Sequence, residues 1–425
     1  MAFLICRSSL IVQHIALKPP HSHASIPREP ESTLPLPSIP SIAVLPFSNL
    51  SGDPEQEYFN DGITDDLVTD LSRLPGLFVI DHNSTFAYKG KTIGIQRAGR
   101  DLGVKYILEG SARKASGRVR VNVQLAEAAT GRQIWSQRYD RHLSNIFSLQ
   151  DEIVTSVVTA INAQLPVLEQ GWTVPQRTKN LEAYDYSLRA FEYFLTLTPE
   201  GNAKAIRAEQ KAIALDPDYA DAYFGVGLSH FQAYVWQWDQ DSRALDDAAE
   251  MVEKAVALDD SNSSAYALRG LIAEYRHDLD KAVANGRRAV SLGPNDAYAW
   301  SSLSEIMTLS GHPEEGLADA QKAERLDPLH QFYFSQEGFA YDDLGRFDKA
   351  VVALKRDPTN PYCHAFLAHA YWELGRRQDA RAEVAEVIRL SPRFSLEEWK
   401  QRVPRNWNST SNKRLLDDLR KAGLE

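Results

Sequence analysis

The 425-residue chain is 43% hydrophobic and 10% aromatic, which is material for two or three globular units with cores of their own. Its formal charge of −10 is unevenly shared, with +1 over residues 1–40, −2 over 41–170 and −9 over 171–425. An acidic C-terminal half argues against nucleic acid as its ligand, because phosphate binding needs clustered Lys and Arg, and two cysteines, Cys6 in a tail and Cys363 in a helix, imply neither a disulfide framework nor a Cys-based metal site.

Residues 1–40 read as a Pro-rich, disordered leader and linker. Met1 to Leu17 is apolar but interrupted by Arg7, Gln13 and His14, with no basic stretch ahead of it and no small-x-small cleavage site. It is too short and too polar for a membrane span, so the cytoplasm is the expected compartment. The alternative is a targeting role for residues 1–17, which would put the protein at a membrane or in the periplasm. Seven prolines between Pro19 and Pro40 predict an extended, solvated segment, and His21 with His23 lacks a third metal ligand nearby.

A folded unit is expected from 41 to 165. Ile42 to Phe47 is a short apolar run suited to a buried strand, and Asp53-Pro54 provides a cap and a first helical position. Phe59, Ile63, Leu67, Leu71 and Leu74 then fall on one helix face, while Asp61, Asp65, Asp66 and Asp70 fall elsewhere and read as a solvated face. Leu77–Ile80 reads as a second strand, Gln96–Leu102 as a helix, and Tyr106–Ala112 as a third strand. Arg118–Leu125 alternates strictly, with Val119, Val121, Val123 and Leu125 buried on one side. Gln133–Tyr139 gives a further strand and Ser144–Leu165 an amphipathic helix. The order β-α-β-α-β-β-β-α predicts an α+β domain with a mixed sheet.

After a linker at 166–179, interrupted by Pro166, Gly171 and Pro175, a ladder begins. LDP at Leu215, LDD at Leu258, LGP at Leu292, LDP at Leu326, RDP at Arg356 and LSP at Leu390 are separated by 43, 34, 34, 30 and 34 residues. A fixed period in this range means stacked repeats, each too small to bury its own apolar face. The long interval carries the insertion VWQWDQDSR between two helices, and the short one has lost four residues, about one helical turn. Each repeat reads as two helices with small residues at their crossing: Gly270, Ala282, Gly286 and Ala289 in one, Gly338 and Ala350 in another, Ala368 and Ala380 in the last. This pattern resembles the tetratricopeptide repeat over 180–393, which implies an all-α solenoid, with residues 394–425 as C-terminal capping helices.

The string from Ile42 to Lys91, IAVLPFSNLSGDPEQEYFNDGITDDLVTDLSRLPGLFVIDHNSTFAYKGK, with LGVKYILEGSARK and the strands after it, resembles the TolB amino-terminal-like domain that precedes such repeats in many bacterial proteins. In that family the upstream partner is commonly a class III adenylate or guanylate cyclase domain, or a winged helix. The 40 residues ahead of Ser41 hold neither, so the chain is expected to be the accessory and repeat portion of a cyclase-like protein.

No catalytic pattern is visible. The sequence has no G-x-x-x-x-G-K-[ST], no H-E-x-x-H and no G-x-S-x-G, and the adjacent acidic pairs Asp65-Asp66 and Asp342-Asp343 diverge on a helix. No cofactor, metal or catalytic residue is expected. The expected function is a non-catalytic interaction scaffold. The alternative is a truncated or degenerate member of the adenylate cyclase family that keeps the name without the catalytic domain. In tetratricopeptide solenoids the first helix of each repeat lines the concave groove. The family register laid on this chain points Glu274, Tyr275, Glu305, Phe339, Asp342, Asp343, His369, Trp372 and Glu373 inward. The set is aromatic and acidic, so the implied ligand is a protein or peptide segment carrying Lys or Arg beside apolar side chains. Oligomeric state is left open.

Overall fold

The computed structural model describes residues 34–74, 76–161, 178–236, 238, 243–329, 332–392, 394–402 and 410–424. Met1 to Leu17, the histidines of the leader and nearly all of the 166–179 linker lie outside them, as does most of the insertion at 235–243.

The first unit is a mixed sheet. It comprises β1 (Ser41–Val44), β2 (Ser48–Asn49), β3 (Phe78–Val79), β4 (Tyr106–Ala115), β5 (Arg118–Glu127) and β6 (Gln133–His142). The order is β3-β1-β4-β5-β6, with β2 added to β4. β1 runs parallel to β3 and β4, because helix α1 (Glu57–Ser72) carries the chain back between β1 and β3, whereas the tight turns on either side of β5 make β4-β5-β6 antiparallel. Val119, Val121, Val123 and Leu125 are buried and Arg118 and Arg120 exposed, as the alternation predicts. This face packs under α1 and α4 (Ile146–Ala160) through Ile63, Leu67, Leu71, Ile153 and Val157. Two short elements were not expected, β2 and α2 (His82–Phe86), and α3 (Ile95–Leu102) completes the unit.

Among the described residues twelve helices of the repeat region follow, paired in sequence: α5 (Leu181–Phe194) with α6 (Pro199–Leu215), α7 (Ala220–Val235) with α8 (Ala244–Leu258), α9 (Ser263–Tyr275) with α10 (Leu279–Leu292). Then come α11 (Ala297–Leu309) with α12 (Pro313–Leu326), α13 (Phe332–Asp343) with α14 (Phe347–Leu354), and α15 (Pro361–Glu373) with α16 (Arg377–Leu390). α17 (Leu396–Arg402) and α18 (Thr410–Ala422) close the chain. The ladder has a local cause. After three of the second helices an aspartate turns its carboxylate onto the backbone N–H two residues on: Asp216 accepts from Asp218 at 3.2 Å, Asp259 from Ser261 at 2.9 Å and Asp357 from Thr359 at 3.3 Å. Asn262, Asp296 and Asn360 then cap the next first helix. The four missing residues shorten α14.

The two regions share a core. Ala43, Leu45, Phe78, Ile80 and Ile107, on the second sheet face, join Leu102 of α3 and run into Leu326, Tyr333 and Phe339 of the repeats. Asn295 donates to Ser72 O (3.1 Å) and Leu77 O (2.8 Å) and accepts from Val79 N. Asp81 N donates to Leu326 O at 2.8 Å, Ser84 Oγ donates to Asp327, and Arg325 reaches Gly103 O at 2.7 Å. At the other end, Tyr58 OH donates to Asp185 at 2.5 Å and Arg189 donates to Tyr58 OH at 2.9 Å. The solvated face expected on α1 is corrected here: Asp66 and Asp70 are 4% and 3% exposed. α5 covers that side of α1, and Asp66 accepts from Tyr184 OH and from Gln150 Nε2.

Candidate interaction groove

The first helices of successive repeats stand side by side, α9 against α11, α11 against α13 and α13 against α15, so their inward side chains form one wall. Its middle is polar and enclosed. Glu274 on α9 is 0% exposed and neither carboxylate oxygen has a hydrogen-bond partner among the described residues. Glu305 on α11 is 2% exposed; one oxygen accepts from Gln336 Nε2 at 3.2 Å and the other has no partner among the described residues. Burial pushes Glu274 well above the usual carboxylate range, with the charge of Glu305 adding to it, and burial raises Glu305 to about 7. Gln232 on α7 and Ser301 and Thr308 on α11 are likewise buried with side-chain polar atoms unmatched among the described residues. Interiors rarely leave polar groups in this state, and two carboxylates in one enclosed strip call for a cation or for protons.

The other inward-register positions separate into two groups. Tyr275 meets the rings of Phe231 and Tyr234 edge-on at 5.3 and 5.9 Å, and Phe339 lies 4.5 Å from Phe366 at 1% exposure. Phe339 is therefore core between neighbouring repeats, correcting its expected place on the groove surface. Asp342, His369 and Glu373 are gathered under the C-terminal helix. Leu415, Leu416 and Leu419 of α18 are buried, Arg414 is ion-paired with Glu373, and Asp418 Oδ2 lies 3.3 Å from His369 Nδ1. Trp372 lies under the Arg377 guanidinium at 4.0 Å, and Asp343 is half-buried. A register read from repeats alone does not show a helix folding back from outside them. The signal available was the apolar spacing Leu415, Leu416, Leu419 and Ala422, which gives α18 a face that needs a partner.

On the sheet unit, a depression of about 950 Å³ is lined by Phe47, Lys89, Lys91, Glu109, Gln124 and Arg138. Lys89 is ion-paired with Asp61 and Glu57, and Gln124 with Glu109 by a hydrogen bond, so this surface answers most of its own polar groups.

Compared with known families, residues 38–156 match the model of the second domain of HilA/YgeH-like transcriptional regulators, and residues 362–394 match the tetratricopeptide repeat. The former match overlaps most of the 41–165 segment read as TolB amino-terminal-like and carries a different family description. A Rhizobium meliloti (strain 1021) protein called "Putative adenylate cyclase 3" is 38% identical over 268 residues, 63% of this chain and 45% of that protein. Cellulose synthase operon protein C of Pseudomonas fluorescens (strain SBW25) is 26% identical over 203 residues, 40% of this chain and 16% of that protein. The chain spans less than half the length of either relative. Among solved structures, the Cut9-Hcn1 assembly of the APC/C aligns with a TM-score of 0.45 at 16% identity, covering 57% of this chain and 43% of that one. The chain is an α+β unit with a mixed six-stranded sheet followed by a tetratricopeptide-type helical solenoid. Among the described residues no helix is long and apolar enough to cross a membrane.

Proposed function

We propose that this chain is a cytoplasmic, non-catalytic interaction scaffold whose solenoid groove holds a protein segment carrying Lys or Arg beside apolar side chains. The observation that carries this reading is the enclosed pair Glu274 and Glu305, whose carboxylates lack a cationic partner among the described residues. The last repeat supplies a precedent within the chain: α18 presents Leu415 and Leu419 to the solenoid and Arg414 to Glu373. The same chemistry, brought by a partner, fits the strip between α7 and α13. In this reading residues 41–165 are an accessory unit of TolB-like type, 166–179 a linker, 180–393 the binding solenoid and 394–425 its cap.

A second reading draws on the Rhizobium relative: the chain corresponds to the accessory and repeat portion of an adenylate cyclase system and contributes regulation or partner capture there.

The test is a random peptide array probed with the full chain and with a Glu274→Gln/Glu305→Gln variant, whose near-isosteric amides preserve packing. Bound peptides are expected to be enriched in Lys or Arg flanked by apolar residues, to weaken as salt rises, and to lose at least tenfold affinity in the variant. Selection of acidic peptides, or equal capture by both proteins, overturns the reading. Capture seen only after removal of residues 1–33 assigns the groove to the chain's own leader.

A further inference from the structure

We propose that His369, Glu373 and Asp418 form a divalent-metal site of zinc type that fastens the C-terminal helix to the last repeat. His369 and Glu373 lie four residues apart on α15 and so share a face, and Asp418 arrives from α18. One donor atom from each of the three lies within 4.8 Å of the others. A tetrahedral zinc ion with bonds of about 2.1 Å needs donors about 3.4 Å apart, so small rotamer changes close the set.

The imidazole environment points the same way. His369 and Asp418 are 3% exposed, and Asp342 is 5% exposed. Asp418 Oδ2 faces Nδ1 at 3.3 Å without hydrogen-bond alignment, and Asp342 Oδ2 faces Nε2 at 3.8 Å. A neutral imidazole has one N–H and one lone pair. With a carboxylate at each nitrogen, one approach sets lone pair against lone pair unless a cation intervenes. A proton on that nitrogen removes the conflict but makes no use of Glu373. A metal at Nδ1 engages Glu373 and Asp418 together and leaves Nε2–H for Asp342, the carboxylate–histidine–metal arrangement that fixes a ligating ring. The Phe347 ring stands edge-on to the imidazole at 5.5 Å and limits its rotation.

Two basic side chains border the site. Arg414 is ion-paired with Glu373, and Lys421 lies 3.4 Å from Asp418 Oδ1. Both are more than half exposed, so each withdraws into water at small cost when the metal enters. One His and two carboxylates leave a fourth position for water, a donor set suited to Zn²⁺ or Co²⁺ rather than Mg²⁺.

The experiment uses the full chain, stripped with EDTA and titrated with ZnCl₂, CoCl₂ and MgCl₂ by calorimetry. One Zn²⁺ per chain is expected, with a rise in melting temperature, a visible Co²⁺ band typical of four-coordination, and no comparable Mg²⁺ binding. Glu373→Gln and Asp418→Asn should each weaken Zn²⁺ at least tenfold with circular dichroism unchanged, and Arg414→Gln should tighten it by removing the competing guanidinium. Absence of saturable Zn²⁺ binding, or binding unaltered by both carboxylate substitutions, overturns the site. Should Asp418→Asn disturb the fold, Arg414→Gln decides: tighter binding supports the site, and unchanged or weaker binding overturns it.

Discussion

Asp70 shows how far a side chain's setting can depart from what its charge suggests. It lies on the apolar stripe of α1, seven residues after Ile63, three after Leu67 and four before Leu74, and burial pushes it up to about 8, against the pull of Arg73 and with Asp151, Asp221 and Asp65 adding to the rise. The spacing carries the signal that the charge obscures, and Asp66, three residues after Ile63, is buried in the same way, accepting from Tyr184 and Gln150. The consequence for stability has a definite sign. The folded-state value lies above the unfolded value of about 3.9, so the folded protein holds this proton more tightly. The resulting stabilisation is complete below about pH 4 and is lost as pH rises through about 8. Asp81 and Asp327, each pushed to about 6 by burial at the seam between sheet and solenoid, act in the same direction. Asp70→Asn is therefore expected to flatten the fall in melting temperature between about pH 4 and pH 8, with a gain on the order of 1–3 kcal/mol at the alkaline end. Parallel melting profiles for the two proteins would contradict this account of Asp70.

Among the elements, the repeats were the most legible because their punctuation is chemical. An aspartate that turns its carboxylate onto the backbone N–H two residues on, and an Asn or Asp cap, recur at several of the places where a helix pair must stop and restart. The long strands were legible because one face of β5 is apolar throughout. β2 and α2, of two and five residues, are too short to show a period and owe their form to the neighbours they meet. The groove was only partly legible. Glu274 and Glu305 feel each other's charge but are both buried, Phe339 belongs to the core, and α18 covers His369 and Glu373. Helix crossings depend on glycine for a reason that substitution exposes. A Cβ on Gly338 would lie 2.5 Å from Leu354 Cγ and 3.3 Å from Leu354 N, so α13 and α14 would have to separate. Gly345, in the turn between them, has open space but a φ of +67°. Gly338→Val is expected to lower stability by about 1–3 kcal/mol through overpacking, and Gly345→Ala by about 1 kcal/mol through backbone strain alone. Urea unfolding of both variants checks the order, and a larger loss at Gly345 would reverse the argument.

At the scale of the whole molecule, the sheet unit is gripped at two separated places, by α5 through Tyr58, Asp185 and Arg189 and by the third and fourth repeats through Asn295, Arg325 and Asp327. Proteolytic cleavage within 166–177 is accordingly expected to leave two fragments that still co-elute on gel filtration, and separation of the fragments would show that the shared core does not hold them. That grip fixes one edge of the solenoid while α18 closes its C-terminal end, which leaves the strip along α7, α9 and α11 as the surface on which the account depends. Hydrogen exchange of the full chain, with and without a Lys/Arg-containing peptide selected on the array, tests it most directly. The account predicts slowed exchange in Ala220–Val235, Ser263–Tyr275 and Ala297–Leu309, abolished by Glu274→Gln/Glu305→Gln. Protection confined to the sheet unit or to the second helices of the repeats would contradict it.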